Sequence, residues 1–255
     1  MPLQGEMYGH FTASGKLALL MDEWVSLAEK QYGLPQLPVT IINRRDHPKL
    51  SGDRGELNTA VPELVNGQPM LVVFLENTDA VNEILVAHEI MHWILNLNGF
   101  KGVSEASRFY DKIASYLTSL VSHVPLNRFM TERGFDYLSY ENERATETLN
   151  ALPRELKKPR VEQTLVWTVL YLCDVILNCS PKIRNEIEKQ IAADGRINAK
   201  VNQVLSILGG FNLHDVNENS AALQSLLTEL ELHRFGTFNV SDHSEYINQV
   251  LSKGR

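Results

Sequence analysis

The chain has 255 residues, with 24 Lys plus Arg against 31 Asp plus Glu, a formal net charge of −7. Hydrophobic residues at 44% and charged residues at 22% exclude a disordered chain and suit a soluble globular one long enough to bury a core. The acidic balance excludes a general nucleic-acid binder, which clusters positive charge. Two cysteines exclude a disulfide framework or an all-cysteine zinc site, so a bound metal would rest on His, Asp or Glu.

The opening MPLQGEMYGHF lacks a basic start followed by an apolar stretch, so no signal peptide is expected. Residues 15–32 read as a helix: Ser14 can cap it, Leu17, Leu20, Trp24 and Leu27 recur at helical spacing, and Gly33 with Pro35 ends it. The β-branched PVTIIN at 38–43 reads as a strand, and the polar stretch 44–56 as a loop. Asn66-Gly67 between Leu64-Val65 and MLVVFL at 70–75 is a hairpin signal, because both residues tolerate positive φ. A small sheet of about three strands follows, with Pro62 and Pro69 placing at least one strand at an edge.

Helical periodicity then takes over. Residues 80–97 and 103–121 read as helices, with Pro125 as an end signal and 125–134 as a short helix. Helices are also expected at 141–152, 163–178, 181–194, 198–208, 220–232 and 242–252. The expected fold class is α+β: a small sheet packed with helices, then a mostly α-helical C-terminal part. The expected division is a first domain over residues 1–152 and a helical region over 153–255, joined through the basic LPRELKKPR. The longest apolar run, LVWTVLYLCDVIL, is too short to span a membrane and is interrupted by Asp174, so no membrane partner is expected. Its apolar stripe reads as core or as an oligomer face, and Cys173 and Cys179 read as buried inert thiols.

One segment carries chemistry. ILVAHEIMHWIL at 84–95 contains His-Glu-x-x-His. On a helix, residues four apart share a face, so His88 and His92 can aim at one metal ion. Glu89 sits beside the pair, within reach of a water on that metal. Every other residue of the segment is uncharged and apolar, which marks a buried helix. Two imidazoles and a carboxylate in such a helix cost free energy unless they are paired or bound, and a metal ion resolves that conflict.

VAHEIMHWIL resembles the extended signature of the zincin metallopeptidases, which also surround the motif with an uncharged helix. The preceding order of helix, strands and motif helix is similar too. The resemblance covers about residues 15–150, and its general type is that of the ImmA/IrrE-like zincins of bacteria and their mobile elements, which are intracellular. It implies a Zn2+ cofactor on His88 and His92, a zinc-bound water with Glu89 as general base, a peptide or protein substrate and a cytoplasmic setting.

The third protein ligand is left open by the spacing. A metzincin-like signature would need Gly and His where Leu95 and Asn98 stand, which excludes that subclass. A gluzincin-like site takes a Glu from a following helix. The nearest acids are Glu105 and Asp111, and Glu141 and Glu143 follow in YENERATETL, where Glu143-Arg144-Ala145 is similar to a gluzincin ligand helix. His123, in LVSHVPLNRFMTERGFD, resembles zincin-like segments in which an apolar helix ends in a His before a Gly-Phe-Asp turn. His123 ranks first, then Glu143, then Asp111. A His ligand leaves the site more positive than a Glu and favours a more acidic bound water. Tyr110, Tyr116, Tyr137 and Tyr140 are candidate oxyanion stabilisers with packing as the simpler role. His10, His47, His214, His233 and His243 read as surface histidines. The expected function is a zinc metallopeptidase. The alternatives are a non-catalytic zincin-like partner-binding module with a structural metal, and a phage- or toxin-associated protein that cleaves one partner.

Overall fold

Ser14 accepts a hydrogen bond from the Leu17 amide and starts α1 (Gly15–Tyr32). Gly33 ends it with φ 65°, a left-handed conformation that glycine adopts without strain, and its amide returns to the Glu29 carbonyl at 2.8 Å. Leu17, Leu20, Met21, Trp24 and Ala28 form its buried face at helical spacing. The structure is a computed structural model that describes residues 13–33, 39–43, 59–65, 68–75, 82–105, 110–158 and 160–242.

Three strands follow: β1 (Val39–Asn43), β2 (Thr59–Val65) and β3 (Gln68–Leu75). The sheet order is β1-β3-β2, with β3 parallel to β1 and antiparallel to β2. The central β3 holds the continuous apolar run from Leu71 to Leu75, buried throughout, as a strand flanked on both sides should be. Pro62 is tolerated because, among the described residues, β2 pairs on one side only. The register Val65↔Gln68 is that of the expected hairpin. The Asn66-Gly67 turn itself and the expected 44–56 loop lie outside the described residues.

The next helix, α2 (Glu83–Leu97), is started by Asn82, whose side chain accepts from the Ile84 amide at 3.0 Å. Glu83 suits the positive end of that helix and also accepts from the Ser14 amide at 2.6 Å, so one carboxylate joins the starts of α1 and α2. Trp93 packs edge-on against Trp24, with ring centres 6.5 Å apart, and its indole N–H donates to the Ala60 carbonyl at 2.8 Å. These contacts fix α2 against α1 and β2. The elements so far belong to one compact unit, residues 1–98, 132–135 and 243–255.

The second unit covers 99–131 and 136–242. It contains β4 (Gly102–Glu105), α3 (Asp111–Glu132, all but its last residue), α4 (Tyr137–Glu155), α5 (Glu162–Asn178), α6 (Pro181–Ile191), α7 (Gly195–Leu208), α8 (Val216–Glu229), a 3-10 turn (Leu232–Arg234) and β5 (Phe238–Ser241). Its core is centred on α5, which buries Leu165, Val169, Leu170, Leu172, Cys173 and Val175 among α4, α6 and α7. The apolar stripe of α5 is therefore interior. Among the described residues no helix is long and apolar enough to cross a membrane.

The fold class is α+β, as expected: among the described residues there are small sheets of three and two strands, with helices forming most of the rest. Two local expectations are corrected. Residues 102–105 form a strand rather than the start of a helix, because they pair antiparallel with Phe238–Ser241. The Val103 amide adds a bond to Thr118 Oγ1 at 2.8 Å, which ties β4 to α3. Pro125 does not end a helix, and α3 runs through it to Glu132. A proline cannot donate to the carbonyl four residues back, here that of Val121. Asn219, fully buried on α8, supplies the missing donor: its Nδ2 reaches the Val121 carbonyl at 2.9 Å. The basic stretch from Leu152 to Arg160 covers the last turn of α4 and the connection to α5, and the expected helix at 242–252 lies beyond the described residues.

Candidate metal centre

The motif residues all project from α2. Around them Val86, Ala87, Ile90, Met91, Trp93, Ile94 and Leu95 are buried, while His88, Glu89 and His92 are half-buried and share the less enclosed side of the helix. The helical spacing of four brings the imidazoles together: His88 Nε2 and His92 Nε2 are 3.1 Å apart, with the rings nearly perpendicular. Two nitrogens on one tetrahedral zinc, each at its usual bond length, stand about 3.3 Å apart. The pair is thus already spaced as two ligands of one ion. Glu89 Oε1 lies 4.0 Å from His88 Nε2, and the two side chains are 13% and 12% exposed.

His123 lies on α3, two residues before Pro125, and is 5% exposed. Its Nδ1 is 2.8 Å from Asp174 Oδ1 on α5. Burial alone would push the Asp174 carboxyl up, but His123 and Arg144 outweigh it and hold the group well below the usual carboxylate range. An ionised carboxylate only accepts, so His123 Nδ1 is the donor in this bond and Nε2 is the nitrogen outside it. One nitrogen from each of His88, His92 and His123 fits within a 4.8 Å span, a grouping of metal-capable side chains. Three imidazoles match the donor set of a catalytic zinc site.

The other candidates stand elsewhere. Glu143 is exposed on α4. Glu141 is 1% exposed and turned to Arg144, with Oε2 2.6 Å from Nη2. Glu105 lies on β4, and the Asp111 side chain lies outside the described residues. Tyr110 packs against Phe235 and Phe238, Tyr116 against Tyr171, and Tyr137 against Tyr140. Burial also pushes the Tyr137 hydroxyl well up, so it stays protonated. His214 and His233 are exposed, and His10, His47 and His243 lie outside the described residues.

Sequence reasoning passed over Asp174 as a site residue. Its signal was an acid in the middle of LVWTVLYLCDVIL, a place where an unpaired carboxylate is costly. No family model, no curated protein and no solved structure matches this chain.

Proposed function

We propose that the chain is a zinc-dependent hydrolase acting on peptide bonds, with His88, His92 and His123 as the protein ligands of one zinc ion. The observation that carries this reading is the convergence of the three imidazoles, two of them on a helix that also presents Glu89. The peptide substrate rests on the resemblance of VAHEIMHWIL to the zincin signature.

A zinc ion held there would supply an acidified water and a Lewis acid for a carbonyl oxygen. Glu89 does the proton work. Its carboxylate, one residue after His88 and three before His92, takes a proton as the water oxygen bonds to the carbonyl carbon. The same oxygen of Glu89 then returns that proton to the departing amine nitrogen as the C–N bond breaks. The apolar residues around the motif restrict water and strengthen each of these charge interactions. Asp174 keeps His123 oriented and takes no part in proton transfer.

Metal analysis should find about one zinc per chain. His88→Ala should lose it. Glu89→Gln should keep the metal while peptide hydrolysis falls by about a hundred- to ten-thousand-fold. A purified protein that binds no metal when zinc is supplied overturns the reading.

A further inference from the structure

Asp174 is 2% exposed, and both of its carboxylate oxygens are filled. Oδ1 accepts from His123 Nδ1 at 2.8 Å and from Asn178 Nδ2 at 2.9 Å. Oδ2 accepts from Arg144 Nη2 at 2.9 Å. Each of these donors is itself held. Arg144 Nε donates to Glu141 Oε2 at 2.9 Å, Asn178 Nδ2 also donates to the Asp174 carbonyl at 2.8 Å, and Asn127 Nδ2 donates to Asn178 Oδ1. The carboxylate therefore has no freedom to turn away from the imidazole.

A neutral imidazole carries one proton, and which nitrogen holds it decides which nitrogen can bind a metal. Building on the zinc reading above, we infer that Asp174 is a positioning residue, which fixes His123 with its proton on Nδ1 and presents Nε2 to the metal. Arg144 keeps the carboxylate turned. A carboxylate behind a ligating histidine also raises its basicity, and such partners are worth about ten- to a hundred-fold in metal affinity.

Asp174→Asn is the informative change. It keeps the shape but replaces one oxygen by an N–H donor. The charged Arg144 retains the remaining oxygen, because charge-assisted bonds are the stronger ones. The amide nitrogen then faces His123 Nδ1 and donates to it, which drives the imidazole proton to Nε2, the nitrogen the metal needs. The full chain should be titrated with zinc against a chelator, and its histidine nitrogens followed by long-range proton–nitrogen NMR.

In zinc-loaded wild type, His123 should carry its proton on Nδ1 and show a metal-shifted Nε2. Asp174→Asn should bind zinc about ten- to a hundred-fold more weakly, with the His123 proton on Nε2 and the His88 and His92 signals still responding to zinc. Equal affinity in the two proteins overturns the inference and leaves the zinc reading standing. So does a wild-type His123 that binds through Nδ1. A His123 that does not respond to zinc overturns the inference and also removes that residue from the proposed ligand set. If the variant does not fold, the wild-type spectrum decides alone by the same signals. A wild type that binds no zinc ends the zinc reading itself.

Discussion

Glu89 and Glu141 are both helical glutamates, and their surroundings separate their chemistry. Glu141 is buried and gripped by Arg144, so it balances charge inside the second unit. Glu89 sits beside two imidazoles on the less enclosed side of α2, the placement that the proposed proton transfer needs. Arg144 carries the opposite risk. Burial alone would lower its pKa, but Asp174 and Glu141 raise it well above the ordinary arginine value. Arg144→Met should therefore strand two buried carboxylates and destabilise the protein by about 3–5 kcal/mol, read from the midpoint of urea unfolding. Arg144→Lys should recover only part of the loss, since an ammonium cannot fork across two carboxylates. At this scale the sequence reveals what is local. His88, Glu89 and His92 are legible because helical spacing alone sets their geometry. Asp174 lies 51 residues from His123. No periodicity encodes that distance, so only the mismatch of an acid in an apolar run was visible.

Among elements, α3 departs most from its local sequence signals. Its interior proline is an ordinary stop signal, and it fails here because α8 repairs the helix from outside. Asn219 Nδ2 donates both to the Val121 carbonyl left open by Pro125 and to the Leu213 carbonyl, each at 2.9 Å. Asn219→Ala should cost about 1–3 kcal/mol, because it leaves two buried acceptors without that donor. In a Pro125→Ala background the helix amide can satisfy Val121 itself, so the same substitution should cost less. A double-mutant cycle on thermal or urea unfolding measures the difference. Strand β4 departs from its sequence signal for a related reason: GVSE has no alternation long enough to mark a strand, and its partner β5 is more than a hundred residues away. By contrast, α1 was read to its ends, since Ser14 and Gly33 are cap residues whose chemistry is local. Ser14→Ala should remove about 1 kcal/mol of stability by the same assay.

For the molecule as a whole, composition announced cores but not their arrangement. The α+β class was legible from the change after β3, from a β-branched run and a hairpin signal to helical periodicity. Both cysteines lie in the second unit, Cys173 inside α5 and Cys179 at its end, and both are buried and free. Burial pushes both thiols up, so neither offers a reactive thiolate near neutral pH. A thiol reagent at pH 7 to 8 should label neither in the native protein and both after denaturation; rapid native labelling would show that the unit opens easily. The β4–β5 ribbon has a different consequence, in the order of synthesis. Gly102–Glu105 leaves the ribosome before the more than a hundred residues that precede Phe238 have been added. At ordinary elongation rates that interval is on the order of ten seconds. Throughout it the strand has no native mate, and an unmated edge invites pairing with another chain. The moment of greatest exposure to misassembly thus falls during translation, and it closes when Phe238–Ser241 emerges to complete the ribbon.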